Sequence, residues 1–461
     1  MAFMNTPSTT TSRRRFLQSS AAAVTTLGFP TIVPSSVFGQ NAPSNRITMA
    51  VIGWGMMGPS NAKSFLNETD CQIVAACDLD KGRLGDALKT INEAYKNTDC
   101  KPYHDYREVM ARKDIDTVML AVPDHWHALT AVEAAKNGKD IYGEKPLART
   151  IHEQQAIVKA VQANNRIWQT GSWQRSRDDF RIAAEVVRNG LIGKITSVEV
   201  GLPSGHNDFA KTGDKTQVTP PPADLDYEMW IGPAQMEPYI EARVHKNWRW
   251  NYNIGGGQLL DWIGHHCDIA HWGMDCDNTG PNEVIPIGAD FPPRDAVWNT
   301  ATKYRAEAKY ANGITMTIAG GHPDIRSGTK WIGTDGWVWV DRSGYDSSKD
   351  ELRRKIQKRD KDGKVVDAFT SPKLGDDIIK SPLYRSPGHH RNFLDCVKSR
   401  QPTITPVTTA HHSAIPGHLA LIALMENRSL KWDPAAEQLL NDPAAAKLLG
   451  REYRTPWKFP S

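Results

Sequence analysis

Ile47-Thr48-Met49-Ala50-Val51-Ile52-Gly53-Trp54-Gly55-Met56-Met57-Gly58 is the stretch that decides the fold. Its first six residues form a short apolar run of the kind a strand buried on both faces requires. A Gly-x-Gly-x-x-Gly pattern follows at once, then a helical pattern through Ala62, Phe65 and Leu66. Alone the glycines say little, but between a strand and a helix they predict a dinucleotide-binding turn. Gly53 permits the tight turn, Gly55 lets backbone approach a pyrophosphate, and Gly58 lets helix pack on strand, with Met56 and Met57 inside the loop. The helix start then offers free N–H groups to phosphate.

Working outward, the run Gln72–Cys77 predicts a second strand that ends at Asp78, twenty residues after Gly58. An acidic residue there accepts hydrogen bonds from the adenosine ribose hydroxyls and repels a 2′-phosphate, which favours NAD(H). Arg83 lies close enough to leave NADP(H) open. A third strand, Thr117–Val122, runs into Pro123-Asp124-His125-Trp126-His127, and a fourth, Asp140–Tyr142, into Gly143-Glu144-Lys145-Pro146. Strands alternating with helical segments predict an α/β fold with a doubly wound parallel sheet, the Rossmann arrangement. Ligands of such sheets bind beyond the carboxyl ends of the strands, where Gly53, Asp78, Pro123 and Lys145 all fall.

Two features carry chemistry. Lys145 follows a buried strand and precedes a proline that restricts its backbone, so it is placed to shuttle a proton. Downstream, Gly255-Gly256-Gly257 opens a run from Gln258 to Trp272. Read as a helix, it puts Asp261 and His265 four apart on one face, with Asp268 three further along, so that a carboxylate orients an imidazole. Oxidising an alcohol needs a base, which Lys145 or His265 supplies, and a hydride acceptor, which a nicotinamide supplies. A metal site is the competitor, because His265, His266, Asp268 and His271 are close in sequence, with pairs at His389-His390 and His411-His412. Neighbouring residues on a helix diverge by about 100°, and the spacing is not that of HExxH. Metal is therefore not expected, and His266 and His271 read as structural.

With these residues in order, the chain resembles the Gfo/Idh/MocA oxidoreductases, the relatives of glucose–fructose oxidoreductase and inositol dehydrogenase. The resemblance rests on Gly53–Gly58, Glu144-Lys145-Pro146 and Asp261-x-x-x-His265, and it runs from Arg46 to the C-terminus. It implies a C-terminal α+β domain with a large, mostly antiparallel open sheet that binds substrate and supports a homo-oligomer. It also implies that Lys145, Asp261 and His265 surround the reacting carbon, and that Pro123, His127, Glu144 and Gln174 approach the cofactor. Ile263 departs from the family pattern, which usually has glycine two residues after the aspartate; Gly264 follows it.

The remaining sequence bounds the reading. At 461 residues, 39% hydrophobic and 23% charged, the composition is that of an ordinary globular protein. A net charge of +4 gives no nucleic-acid footprint. No apolar run approaches the roughly 18 residues that span a bilayer. Six cysteines without a CxxC pair argue against a zinc ribbon or a thioredoxin-like site. Residues 201–245 read as a long loop, residues 350–367 as a charged, solvated excursion, and Trp248, Arg249 and Trp250 as a sugar-facing wall.

Ser12-Arg13-Arg14-Arg15-Phe16-Leu17-Gln18 and the small-residue stretch after it resemble a twin-arginine export signal. The expected organisation is a signal peptide over 1–39, an NAD-binding Rossmann domain over 45–165 and a substrate and oligomerisation domain over 166–461. The expected activity is NAD-dependent oxidoreduction at a secondary alcohol of a sugar, inositol or related polyol by a periplasmic or secreted enzyme. Free dinucleotide is scarce outside the cytoplasm, so a tightly held cofactor and a redox-neutral alternative enter. In a glycosidase of that kind, oxidation at C3 acidifies the C2 proton, a base removes it, the glycosidic group is eliminated, and reduction restores the alcohol. A sugar-binding protein without catalysis is a third reading, against which intact Lys145, Asp261 and His265 argue.

Overall fold

The computed structural model describes residues 46–359, 365–373 and 378–460. The leader, with Arg13 and Arg14, lies outside the described residues.

Chain order begins β1 (Ile47–Ile52), α1 (Gly58–Leu66), β2 (Cys71–Cys77), α2 (Lys81–Tyr95), β3 (Lys101–Tyr103), α3 (Tyr106–Ala111) and β4 (Thr117–Leu120). It continues with α4 (His127–Lys136), β5 (Asp140–Gly143), α5 (Ile151–Ala163) and β6 (Trp168–Thr170). These six strands form one parallel sheet in the order β3-β2-β1-β4-β5-β6, the doubly wound arrangement of dinucleotide-binding folds. The sheet runs past residue 165 to Thr170. Its central strands are apolar throughout because helices cover both faces. Side chains such as Phe65 on α1 and Met49 on β1, both fully buried, each contribute about 1.5–3 kcal/mol. Helix starts use the caps their sequences offer: Asp80 accepts from Arg83 N at α2, and Thr150 exchanges bonds with Glu153 at α5.

The second sheet is assembled from α6 (Asp178–Arg188), β7 (Ile195–Leu202), α7 (Tyr227–Ile231), α8 (Gly257–Met274), β8 (Glu283–Asp290), β9 (Lys303–Lys309), β10 (Thr315–Gly320), β11 (Gly328–Gly333), β12 (Gly336–Asp341) and β13 (Gly344–Ser347). After a hairpin of β14 (Arg353–Arg359) and β15 (Val365–Pro372) come α9 (His389–Ser399), α10 (Val407–Glu426), β16 (Leu430–Asp433) and β17 (Gln438–Leu439). Nine strands order as β13-β12-β11-β7-β10-β9-β8-β16-β17, antiparallel except for β7 beside β10. The α/β class with a second, mostly antiparallel sheet is as the sequence predicts. Alternation in β9, where Tyr304, Ala306 and Ala308 point inward, packs one sheet face on α6, α8 and α10.

Two expectations need correction. The charged 350–367 stretch, read as a solvated excursion, contributes strands to a two-stranded hairpin, with residues 353–359 paired antiparallel to 365–372. The 201–245 segment is an irregular connection only in part. It lies back on the first sheet, with Lys81 N bonding to Asp224 O and Asp226 N to Leu79 O, and it contains α7. The six cysteines are all buried and free, and no described helix is long and apolar enough to cross a membrane.

Candidate active site

A cleft lies over the carboxyl ends of β1, β2, β4 and β5. The glycine loop is its floor. Gly53 sits at φ +90°, and a Cβ on Gly58 would stand 2.2 Å from the Gly53 carbonyl oxygen, so neither position accepts a side chain. A Cβ on Gly55 would meet only the Arg83 guanidinium, at 3.6 Å, so backbone is open to a ligand there. Among the described residues no side chain caps the start of α1 and no acid sits in its first turn, which leaves its N–H groups to an anion. Met56, Met57, Asp78, Arg83, Pro123, Glu144 and Lys145 all line the cleft.

Asp78 accepts from Trp54 N (2.6 Å) and Asp80 N (2.9 Å), one bond to each carboxylate oxygen, so lone pairs remain for ribose hydroxyls. Burial pushes its carboxyl up, against those two N–H groups and Arg83. Arg83 Nη1 donates to Trp54 O at 3.2 Å, which ties it to the loop rather than freeing it for a 2′-phosphate. Glu144 accepts from Asn61 Nδ2 at 2.7 Å, and Asn61 Oδ1 lies 3.1 Å from His390 Nε2 on α9. The roof comes from the folded-back segment, through Trp230, His245, Lys246, Trp248 and Arg249. Taken together, these donors, acceptors and open glycines fit a dinucleotide.

At the Lys145 end the structure brings together residues 116 positions apart. Lys145 Nζ donates to the Asp261 carbonyl (2.6 Å) and to Asp261 Oδ1 (2.9 Å). Arg249 Nε donates to the same Oδ1 at 3.0 Å. Burial pushes the Asp261 carboxyl up, but the two cations outweigh it and hold it at about 2. Gly264 makes this approach feasible, since a Cβ there would fall 2.9 Å from Lys145 Cβ. The glycine shifted by one residue thus faces Lys145, while Ile263 packs against Gly417.

The expected pairing of Asp261 with His265 is not what forms. Asp261 turns to Lys145 and Arg249, and His265 Nδ1 has no hydrogen-bond partner among the described residues. The His265 ring is instead held by the edges of Trp262 and Trp173, with centroids at 5.5 and 6.4 Å. Burial, then the charges of Lys145 and Arg342, push its pKa well below the usual histidine range, so the imidazole is neutral with a free nitrogen.

Other expected residues fall away from the cleft wall. His127 lies behind it, with Nδ1 2.8 Å from Pro146 O and Nε2 3.0 Å from Val122 O, bracing two strand ends. Gln174 is fully buried and outside the cleft lining, with neither amide atom bonded among the described residues. Trp248 and Arg249 do line the cleft; Trp250 is fully buried with Nε1 on Asn207 O. The histidines of α8 diverge, His266 to Gly201 O and His271 to Cys276 O and Tyr310 OH. Asp268 forms a buried ion pair with Arg175 at 2.7 Å, so it takes no part in the site.

Sequence reasoning missed Asp124. It is 3% exposed in the cleft wall, and its position one residue past a strand-end proline was the available signal. Arg342, on the turn after β12, had no signal of its own.

Residues 47–172 match the NAD-binding Rossmann fold of the Gfo/Idh/MocA oxidoreductase family, and residues 179–371 and 350–459 match that family's C-terminal alpha/beta domain. Among curated proteins, an inositol 2-dehydrogenase of Salmonella typhimurium is 30% identical over 146 residues, 31% of this chain and 42% of that protein. A glycosyl hydrolase family 109 protein of Shewanella woodyi is 29% identical over 167 residues, 35% of each. The chain therefore spans less than half the length of these curated relatives. Among solved structures, levoglucosan dehydrogenase in complex with NADH and levoglucosan superposes with a TM-score of 0.57 at 17% identity, over 84% of this chain and 99% of that one. The aldose–aldose oxidoreductase of Caulobacter crescentus gives the same TM-score and identity over the same shares. At these identities the likeness shows the fold.

Proposed function

Because the chain belongs to the Gfo/Idh/MocA oxidoreductase family, whose N-terminal fold binds NAD, we propose that it interconverts a secondary alcohol and a ketone on a sugar, inositol or related polyol. The observation that carries this reading stands beside the cleft at Lys145, where the Lys145–Asp261 ion pair lies one turn along α8 from a neutral His265 whose Nδ1 has no partner among the described residues. NAD, when bound by the glycine loop and Asp78, supplies the hydride acceptor or donor.

The chain's own residues divide the proton chemistry. Lys145 donates through Nζ to the Asp261 carboxylate, so it is placed to offer hydrogen bonds and charge to an alkoxide. Asp261 fixes that Nζ in place, and Arg249 holds Asp261. His265 has the vacant nitrogen and takes the hydroxyl proton as general base. Glu144, fixed through Asn61, closes the cleft on the Rossmann side.

The experiment is to purify the protein without added cofactor, denature it and assay the supernatant for NAD(H). A panel of sugars and polyols is then offered to the native protein while nicotinamide absorbance is followed. Released dinucleotide and a polyol that changes that absorbance are expected. Failure to bind NAD(H), bound or added, would sink the reading.

Redox-neutral cleavage of a glycoside is the second reading, supported by the family 109 relatives. It would give glycoside turnover with no net NADH. We further propose export through the twin-arginine leader at Arg13-Arg14, tested by the mass of the mature protein recovered outside the cytoplasm.

A further inference from the structure

Arg342 is a guanidinium whose aromatic contacts are made and whose hydrogen bonds are not. Its centre lies 4.3 Å from the ring centroid of Trp262 and 4.8 Å from that of Trp173. Both rings also present to His265. A cation over a ring is held by the ring's charge distribution without using up a hydrogen-bond acceptor, and among the described residues no N–H of the Arg342 guanidinium donates a hydrogen bond. Among the described residues no carboxylate pairs with it. Asp341 Oδ1 already accepts from Ser343 and Gly344, and the neighbouring Arg177 is paired with Asp179. Arg342 is exposed, whereas His265 is buried, so the two shared rings join a solvent-facing cation at the rim to a buried imidazole. The Arg342 charge also acts on both His265 and Asp261, so rim and reacting centre belong to one site.

Two buried amide side chains on the same elements also lack hydrogen-bond partners among the described residues. Gln258, one and two helical turns before Asp261 and His265 on α8, is buried with both amide atoms unpartnered, as is Gln174 beside Trp173. A buried amide without partners costs free energy that a hydroxylated ligand would recover.

We propose that Arg342, held between Trp173 and Trp262, binds an anionic group of the sugar, so that the substrate is an acidic sugar such as a uronate or aldonate. A planar carboxylate matches the free edge of the fork with two parallel bonds. The inference rests on the oxidoreductase reading, and it adds to that reading the charge of the substrate.

The test is calorimetric titration of the dinucleotide-loaded protein with D-glucuronate, D-galacturonate, D-gluconate and D-glucose 6-sulfate, each against its neutral counterpart, D-glucose, D-galactose or D-glucitol. At least one anion is expected to bind about tenfold more tightly than its counterpart, the worth of one charge-assisted contact. Arg342→Gln should erase that difference and Arg342→Lys should restore part of it. Preference for a uronate or aldonate identifies a carboxylate; preference for the 6-sulfate alone keeps an anion but overturns the acidic-sugar assignment. Equal or tighter binding of the neutral member in every pair, or a preference that survives Arg342→Gln, would overturn the inference. Nicotinamide absorbance recorded on the same samples separates the two claims. Reduction by neutral sugars alone upholds the oxidoreductase reading and removes this one. Arg342-dependent anion binding with no absorbance change does the reverse.

Discussion

Lys145 Nζ lies 2.9 Å from Asp261 Oδ1, joining the end of the first sheet to the helix that backs the second. Arg249 reaches the same oxygen, so one buried carboxylate neutralises part of two buried cations. Asp261→Asn leaves both cations facing a neutral amide, and breaking a buried pair in this way costs about 3–5 kcal/mol. The pH window follows from the sign of the shift. The folded pKa, about 2, is below the ordinary 3.8, so the contribution is present above 3.8 and lost as pH falls through about 2. Urea unfolding should show a stability gap between Asp261→Asn and wild type near neutral pH that narrows toward about pH 3. A gap that widens on acidification would contradict the ion pair.

His265 is buried and neutral, with its pKa well below 6.5. A lowered histidine pKa means that the base is unprotonated across the neutral range and is protonated only in acid. The pH profile of kcat/KM should therefore carry no His265-dependent limb near 6.5. His265→Gln should lower kcat by about 10²–10⁴, the usual worth of a general base, while leaving dinucleotide affinity within about twofold because the residue lies outside the cofactor cleft. An acid limb at about 6.5 that disappears in His265→Gln would assign the residue a different state.

The first sheet was legible because a strand buried on both faces must be apolar throughout, and the glycines of residues 53–58 have few other uses between a strand and a helix. Strand ends then located Asp78 and Lys145 without further information. Spacing along α8 put Asp261 and His265 on one face correctly, yet it could not reveal that Lys145 and Arg249 compete for Asp261. That outcome depends on charges 116 and 12 residues away, and opposite charges win over a neutral imidazole in a dry site. The roof of the cleft escaped for a similar reason. Pro-rich sequence from 201 to 245 has no periodicity to read, and its structure comes from backbone bonds to Leu79 and Lys81. His127 and Gln174, which the family resemblance implies at the cofactor, lie behind the cleft wall and outside its lining, and the sequence pattern does not fix which way a side chain points.

Asp124 should make cofactor preference depend on pH. Among the described residues its carboxylate has no hydrogen bond or ion pair. Burial, then the charge of Asp261, push its pKa up to about 7 despite Arg249, Lys145 and Arg149. A raised carboxyl is neutral below that value and becomes an anion as pH rises through it. An anion in the cleft wall favours the cationic, oxidised nicotinamide over the reduced one. The ratio of Kd for NADH to Kd for NAD+ should thus rise between about pH 6 and about pH 8, and should be flat in Asp124→Asn. The same shift costs the empty protein stability. The raised pKa contributes stability below 3.8 that is lost as pH rises through about 7, so Asp124→Asn should exceed wild type in Tm above neutrality. Fluorescence titration and thermal unfolding read the two effects separately, and a pH-independent ratio in wild type would remove Asp124 from this role.

Two alanine substitutions should divide binding from chemistry. In Gly58→Ala the new Cβ stands 2.2 Å from the Gly53 carbonyl oxygen, a backbone atom that cannot yield without opening the loop. Dinucleotide binding should be lost, along with about 1–3 kcal/mol of stability from overpacking. In Gly264→Ala the Cβ stands 2.9 Å from Lys145 Cβ, on the stem of the side chain rather than its flexible tip. Relief requires α8 and the Lys145 loop to part by some tenths of an ångström, which lengthens the bond to Asp261 and moves the ammonium off its mark. The glycine loop and Asp78 are untouched by that movement. Gly264→Ala should accordingly bind NAD(H) within about threefold of wild type while kcat falls by about 10²-fold, the scale of a small misplacement in a positioned group. Equilibrium dialysis against NADH and initial rates on the same samples give both numbers. Equal loss of binding in the two variants would mean that α8 supports the cofactor cleft itself, and Lys145 would then have to be assigned to the cofactor rather than to the reacting alcohol.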